Sequence, residues 1–140
     1  MAKTTAFAGA LLDHILNGAA VPGLGGTLYL SLHTADPGVG GTQETSEAAY
    51  PGYARAAVAR DEGSWTITGN EASPAAAIAF EQATGAGDDV THFAIGTAQT
   101  GPGLVLYFAP LVSGNGDPLP KPITEGDTVS IATDSVLSEA

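Results

Sequence analysis

The chain has 140 residues, enough for one ordinary domain and too few for a second core or a long fibrous shaft. Fifteen Asp and Glu stand against four Lys and Arg, and the net charge of −11 leaves no cationic footprint for nucleic acid or an anionic membrane surface. Cysteine is absent, which excludes disulfides, thiol nucleophiles and thiolate metal sites together.

Charged residues make up 14% of the sequence, against roughly 25% in average soluble proteins, so much of the surface is small or weakly polar. Such a surface suits packing against neighbours. Each large side chain fully buried contributes about 1.5–3 kcal/mol, while ordering the backbone costs about 1–2 kcal/mol per residue. With an interior rich in Ala and Gly, a lone protomer is expected to sit near break-even, and association supplies the missing burial.

The first predicted element is a helix over residues 5–17, which either Thr4 or Thr5 can cap and Asn17-Gly18 stops in a left-handed turn. Phe7, Leu11, Leu12 and Ile15 fall at i, i+4, i+5 and i+8 and form one apolar stripe, with Ala6, Ala8 and Ala10 beside it. The stripe needs a cover, either the chain's own sheet or another subunit. No run approaches the roughly 18 apolar residues of a membrane span, and Asp13 and His14 interrupt the apolar stretch after Lys3, so it does not read as a secretory signal.

After a Gly-rich loop the pattern turns to alternation. Thr27 to His33 reads as a half-buried strand, with Leu28, Leu30 and Leu32 on one face and Thr27, Tyr29, Ser31 and His33 on the other. Ala35-Asp36-Pro37-Gly38 ends it, and Val39 to Pro51 reads as a long exposed loop and a candidate contact element. Further strands are expected at 53–60, 65–68, 76–80, 90–95, 104–111, 123–124 and 128–132. Gly63-Ser64, Gly69-Asn70, Gly85 to Asp89, Gly101-Pro102-Gly103 and Gly114 to Asp117 supply the turns. The fold class expected is mainly β, an antiparallel β-sandwich or jelly-roll-like domain over 1–140, with the helix at 5–17 and the β region at 27–132. No βαβ alternation is visible.

The residues that could carry chemistry each have a plainer reading. His14, His33 and His92 lie on different elements without metal-ligand spacing, so they read as structural histidines. Asp88-Asp89 and Asn115-Gly116-Asp117 offer oxygen ligands, but calcium-loop spacing is missing and solvated turns are the simpler account. The clusters at 23–27 and 38–42 complete neither a dinucleotide nor a Walker pattern, and no G-x-S-x-G elbow occurs. No catalytic residue, metal ligand or cofactor is assigned. Arg55, a rare cation in the run Tyr53-Ala54-Arg55-Ala56, is expected to form a structural ion pair or a subunit contact. Tyr29, Tyr50, Tyr53 and Trp65 are the candidate platform for a sugar, with core packing as the competing role.

The string Leu28-Tyr29-Leu30-Ser31-Leu32-His33-Thr34-Ala35-Asp36-Pro37-Gly38, then Gly52-Tyr53-Ala54-Arg55, Trp65, and Thr91-His92-Phe93-Ala94-Ile95-Gly96-Thr97 together resemble a family of small bacteriophage virion proteins usually labelled tail-fibre proteins. The resemblance spans roughly 27–127 and implies a non-enzymatic virion component with no catalytic residues to carry over. A fibre shaft needs repeats or heptads, and this chain has neither, so a compact knob, collar or tip is expected. The alternatives are a capsid decoration protein that cements shell subunits and a host-glycan-binding module. The implied partners are other virion structural proteins, further copies of the chain in a trimer or other ring, and a host surface glycan, with assembly in the bacterial host cytoplasm. Neither nucleic acid nor membrane is an expected partner.

Overall fold

A computed structural model describes residues 1–139. In chain order the elements are β1 (Ala2–Lys3), α1 (Thr5–Asn17), β2 (Thr27–His33), β3 (Ala56–Ala59), β4 (Trp65–Thr68), β5 (Glu71–Pro74), β6 (Ile78–Ala79), β7 (Gly87–Val90), β8 (His92–Gly96), β9 (Val105–Pro110), β10 (Lys121–Ile123), β11 (Ser130–Ile131) and β12 (Leu137–Ser138). The chain is mainly β, wholly antiparallel in its pairings, with one short helix near its start. Its strands fall into four sheets: β1-β9-β8-β2-β3, β12-β5-β4, β10-β7 and β11-β6.

The five-stranded sheet organises the rest. Its registers pair Leu30 with Ile95, Leu32 with Phe93 and Ile95 with Tyr107, so these side chains share one face. That face builds the main core, and the smaller sheets supply Trp65, Ile78, Val90, Ile123, Ile131 and Leu137 against it. Ala94 and Phe108 pair on the opposite face and form a smaller cluster with Val105.

The alternation read over 27–33 places Leu28, Leu30 and Leu32 in the core. The opposite face is not solvated, however, because Ser31 and His33 are also fully buried. Their cover is the segment expected to be an exposed loop. Within 39–51, Gln43, Ala48 and Tyr50 are buried, Ala48 N–H donates to Leu32 O at 2.8 Å and Thr34 N–H to Ser46 O at 2.8 Å. The expectation holds for part of the segment, since Val39, Gly40, Glu44, Ser46, Ala49 and Pro51 are exposed, while Gln43 and the Thr45 carbonyl are spent on the sheet.

Four strands lie where none was expected. β1 and β12 are two residues each and carry no periodicity, and both fall outside 27–132. β5 is the return strand of a two-residue hairpin through Gly69-Asn70, with Thr68 opposite Glu71. β7 occupies the Gly85–Asp89 region read as a turn, where Gly87 packs on Tyr50 and a Cβ would fall 2.5 Å from that ring's Cβ.

Candidate assembly surface

α1 forms over the residues expected. Thr4 Oγ1 accepts from Phe7 N–H at 3.2 Å as the N-cap, and a left-handed Gly18, at φ +75°, closes the helix, Gly18 N–H donating to His14 O at 3.2 Å and Ala19 N–H to Asp13 O at 3.3 Å. The apolar stripe then splits. Phe7 is buried, with its ring edge-on to Tyr107 at 5.4 Å between centroids, and Ala10 and Leu11 pack beside it. Leu12 and Ile15 are 62% and 68% exposed, and Leu16, outside the stripe as read, is 75% exposed. Thirteen residues span about 20 Å at 1.5 Å per residue, and residues 12–18 are all exposed.

Leu12, Ile15 and Leu16 stand at i, i+3 and i+4, so they make one ridge. Asp13 is the one acidic residue in the helix, and it accepts from Asn17 Nδ2 at 2.6 Å. Tyr107, the ring under Phe7, also lines a trough of about 140 Å³ whose other lining residues include Trp65, Ile67, Ala72 and Leu137 and no charged residue. Ile67 is 67% exposed on its rim.

Arg55 makes a two-pronged pair with Glu47, Nε to Oε2 at 2.7 Å and Nη2 to Oε1 at 2.8 Å. Its remaining donors reach Ala98 O at 2.9 Å and Gly101 O at 2.7 Å, and its side chain is only 4% exposed. The hydrogen bonds to Glu47 hold the guanidinium above its ordinary range despite burial. Tyr53 donates to Glu47 Oε2 at 2.7 Å, and burial followed by this bond pushes its phenol up. Together they tie the 39–51 segment to the approach to β3 and to the turn before β9.

His33 lies beside this knot. Because Thr45 O can only accept, His33 Nδ1–H donates to it at 2.7 Å, leaving Nε2 to accept from Ser31 Oγ at 2.9 Å. Burial is the largest influence on the imidazole and lowers its pKa. A serine within reach of a histidine is the geometry of an activated nucleophile, yet both side chains are fully buried and no substrate can reach them. His14 is on α1, with Nδ1 2.8 Å from Ala19 O, and His92 lies 2.8 Å from Thr91 Oγ1.

The four aromatics named for sugar stacking do not share an exposed face. Tyr50 is buried and edge-on to Tyr53, while Tyr53 and Trp65 pack against the main core and Tyr29 is half-buried on β2. The Trp65 Nε1–H is buried without a partner, so it is not presented to a ligand. Asp88 and Asp89 are exposed on β7, and Asn115 to Asp117 form a turn closed by Ser113 N–H to Asp117 O at 2.8 Å. Among the described residues no group of three or more Asp, Glu or His is placed to hold a metal ion, and no helix is long and apolar enough to cross a membrane.

A family model described as podophage GP4 fiber I protein gp80 matches residues 2–138. The chain belongs to this family. No curated protein matches it. Membership makes it a bacteriophage fibre structural protein and a virion component, and implies a non-enzymatic part. The family match covers both α1 and the strands of the trough. Of the residues that build the ridge and trough, sequence reasoning missed Leu16, Ile67, Ala72, Tyr107 and Leu137. Leu16 carried a usable signal, its i+4 spacing from Leu12; the trough residues come from distant strands that only the fold brings together.

Proposed function

We propose that the chain is an exterior component of the phage particle, a tail-fibre or tail-appendage module that assembles with copies of itself through α1. The observation that carries this reading is the uncovered ridge of Leu12, Ile15 and Leu16 on an otherwise strongly acidic fibre-family chain. Fully burying such a side chain is worth about 1.5–3 kcal/mol, and each has roughly two thirds of that still to gain. Association costs about 4 kcal/mol or more in lost rigid-body freedom, so one ridge per contact supports assembly at high local concentration, as on a virion, better than a tight free dimer. Other virion structural proteins provide the attachment point, and assembly takes place in the host cytoplasm.

The test is the solution mass of the wild-type chain and of Ile15→Asp, with circular dichroism for the fold. The wild type is expected to exceed the protomer mass of 13.9 kDa as concentration rises, and the variant to stay at it with an unchanged β spectrum. A wild type that remains at protomer mass at high concentration contradicts self-assembly.

A further inference from the structure

We propose that Asn115 is a self-modification site, at which the side-chain amide is lost to attack by the Gly116 backbone nitrogen and the exposed turn 113–117 gains a carboxylate with time. This does not depend on the self-assembly reading above.

The chain has three asparagines, Asn17, Asn70 and Asn115, and Asn17 and Asn115 each precede a glycine. An asparagine carboxamide carbon can close a five-membered ring with the backbone nitrogen of the next residue, and a glycine there has no Cβ to hinder the approach. By sequence, Asn17-Gly18 and Asn115-Gly116 are equivalent. The fold separates them.

At Asn17 both reacting groups are held. Its Nδ2 donates to Asp13 Oδ1 at 2.6 Å, and Gly18 N–H donates to His14 O at 3.2 Å as part of the turn that closes α1. Reaction there has to undo the end of the helix. Asn70 Nδ2 donates to Glu139 O at 3.0 Å, and the residue that follows it is Glu71, whose side chain crowds the nitrogen.

Asn115 is placed differently. Its backbone N–H donates to Ser113 Oγ at 3.4 Å, but among the described residues its carboxamide has no hydrogen-bond partner. Residues 114–120 are all exposed, and a Cβ at Gly116, which sits at φ +85°, would meet nothing within 4 Å, so the space around the attacking nitrogen is open. The one restraint on that nitrogen is Gly116 N–H to Ser113 O at 2.9 Å. A solvent-exposed bond in a turn without buried side chains opens locally at little cost.

The chemistry needs only water. Gly116 N gives its proton to solvent and attacks Asn115 Cγ; the N–Cγ bond forms, the Cγ–Nδ2 bond breaks, and ammonia leaves with the proton it takes from solvent. Water then opens the cyclic imide. Addition at one carbonyl leaves aspartate at position 115, and addition at the other leaves isoaspartate, with the main chain routed through the side-chain carbon. Either product adds one negative charge beside Asp117 to a chain already at −11. The isoaspartate also lengthens the connection between Val112 and Pro118, the bridged residues that flank the turn.

The experiment holds the purified full chain in mildly alkaline buffer and follows each asparagine by peptide mapping with mass spectrometry, beside the same chain unfolded in urea. Circular dichroism confirms that the first sample stays folded. In the folded chain Asn115 is expected to convert to a mixture of aspartate and isoaspartate, with Asn17 about tenfold slower, which corresponds to an opening cost of about 1.4 kcal/mol at the helix end. In urea the two sites are expected to convert at comparable rates. Asn115→Gln, whose longer side chain disfavours the ring, is expected to abolish conversion at 115 with an unchanged β spectrum. A folded chain that keeps the Asn115 amide while the unfolded chain loses it overturns the proposal, as does equal loss at Asn17 and Asn115 in the folded chain.

Discussion

The Gln43 carboxamide lies directly against Gly96, where a Cβ would fall within 2.6 Å of Gln43 Oε1. This contact lets a loop residue reach across the sheet: Nε2 donates to Tyr29 O at 2.9 Å and Oε1 accepts from Ala98 N–H at 2.9 Å. Gln43 is fully buried and joins β2 and the turn after β8 to the 39–51 segment. Gly96→Ala is expected to destabilise by about 1–3 kcal/mol, the usual cost of overpacking a filled interior. Gln43→Leu leaves the Ala98 N–H without its acceptor and is expected to cost about 1–3 kcal/mol. Urea unfolding of the two single variants measures both, and a Gly96→Ala midpoint equal to wild type would contradict the close packing.

Arg55 and Glu47 form the buried tie between that segment and the strands. Removing one partner of such a pair typically costs about 3–5 kcal/mol, because the other charge stays buried and alone. Arg55→Ala is expected at the lower end of this range, since Glu47 retains 18% side-chain exposure and can be partly rehydrated. Arg55→Lys is expected to recover only part of the loss, because one ammonium cannot replace a two-pronged fork plus two carbonyl contacts. A double-mutant cycle with Glu47→Gln reads the coupling between them.

His33 and Glu139 contribute to the response to acid in different windows. His33 has a folded-state pKa below its ordinary 6.5, so as pH falls through that value the unfolded chain takes up a proton that the folded chain refuses. Stability is expected to be complete above this range and to decline below it, with Glu47, Arg55 and His92 the charged or titratable neighbours. Melting temperature against pH measures the slope, and His33→Gln is expected to flatten it whatever its overall stability.

Glu139 acts lower. Its carboxylate is held below the ordinary 4.5 first by Lys3 and then by the Tyr107 hydroxyl, so its contribution is present above that value and lost as pH falls through the folded pKa. The pair is substantially exposed, which keeps the contribution small and sensitive to salt. Glu139→Gln is therefore expected to change stability little at neutral pH and to leave the His33 slope intact.

Where the sequence carried a strong period or a paired cap, the reading matched the structure closely: α1 between Thr4 and Gly18, β4 at Trp65–Thr68, and the Leu28–Leu30–Leu32 face. Each rests on information within a few residues. What was not legible depends on residues far apart. Ser31 and His33 looked solvent-facing because nothing local says that Thr45 and Gln43 will cover them. Glu71–Pro74 has poor strand propensity and becomes a strand because β4 and β12 pair with it on either side. The helix stripe could be seen, but not that the core would cover it only as far as Leu11 and leave Leu12 and Ile15 exposed.

The most direct test of assembly on the particle is cryo-electron microscopy of intact phage, with this chain fitted into the map. The account predicts its density in a tail appendage, in several copies, with Leu12, Ile15 and Leu16 of each copy covered by a neighbour. Density confined to the head would assign the chain to capsid decoration, and isolated copies with the ridge in solvent would contradict assembly through α1.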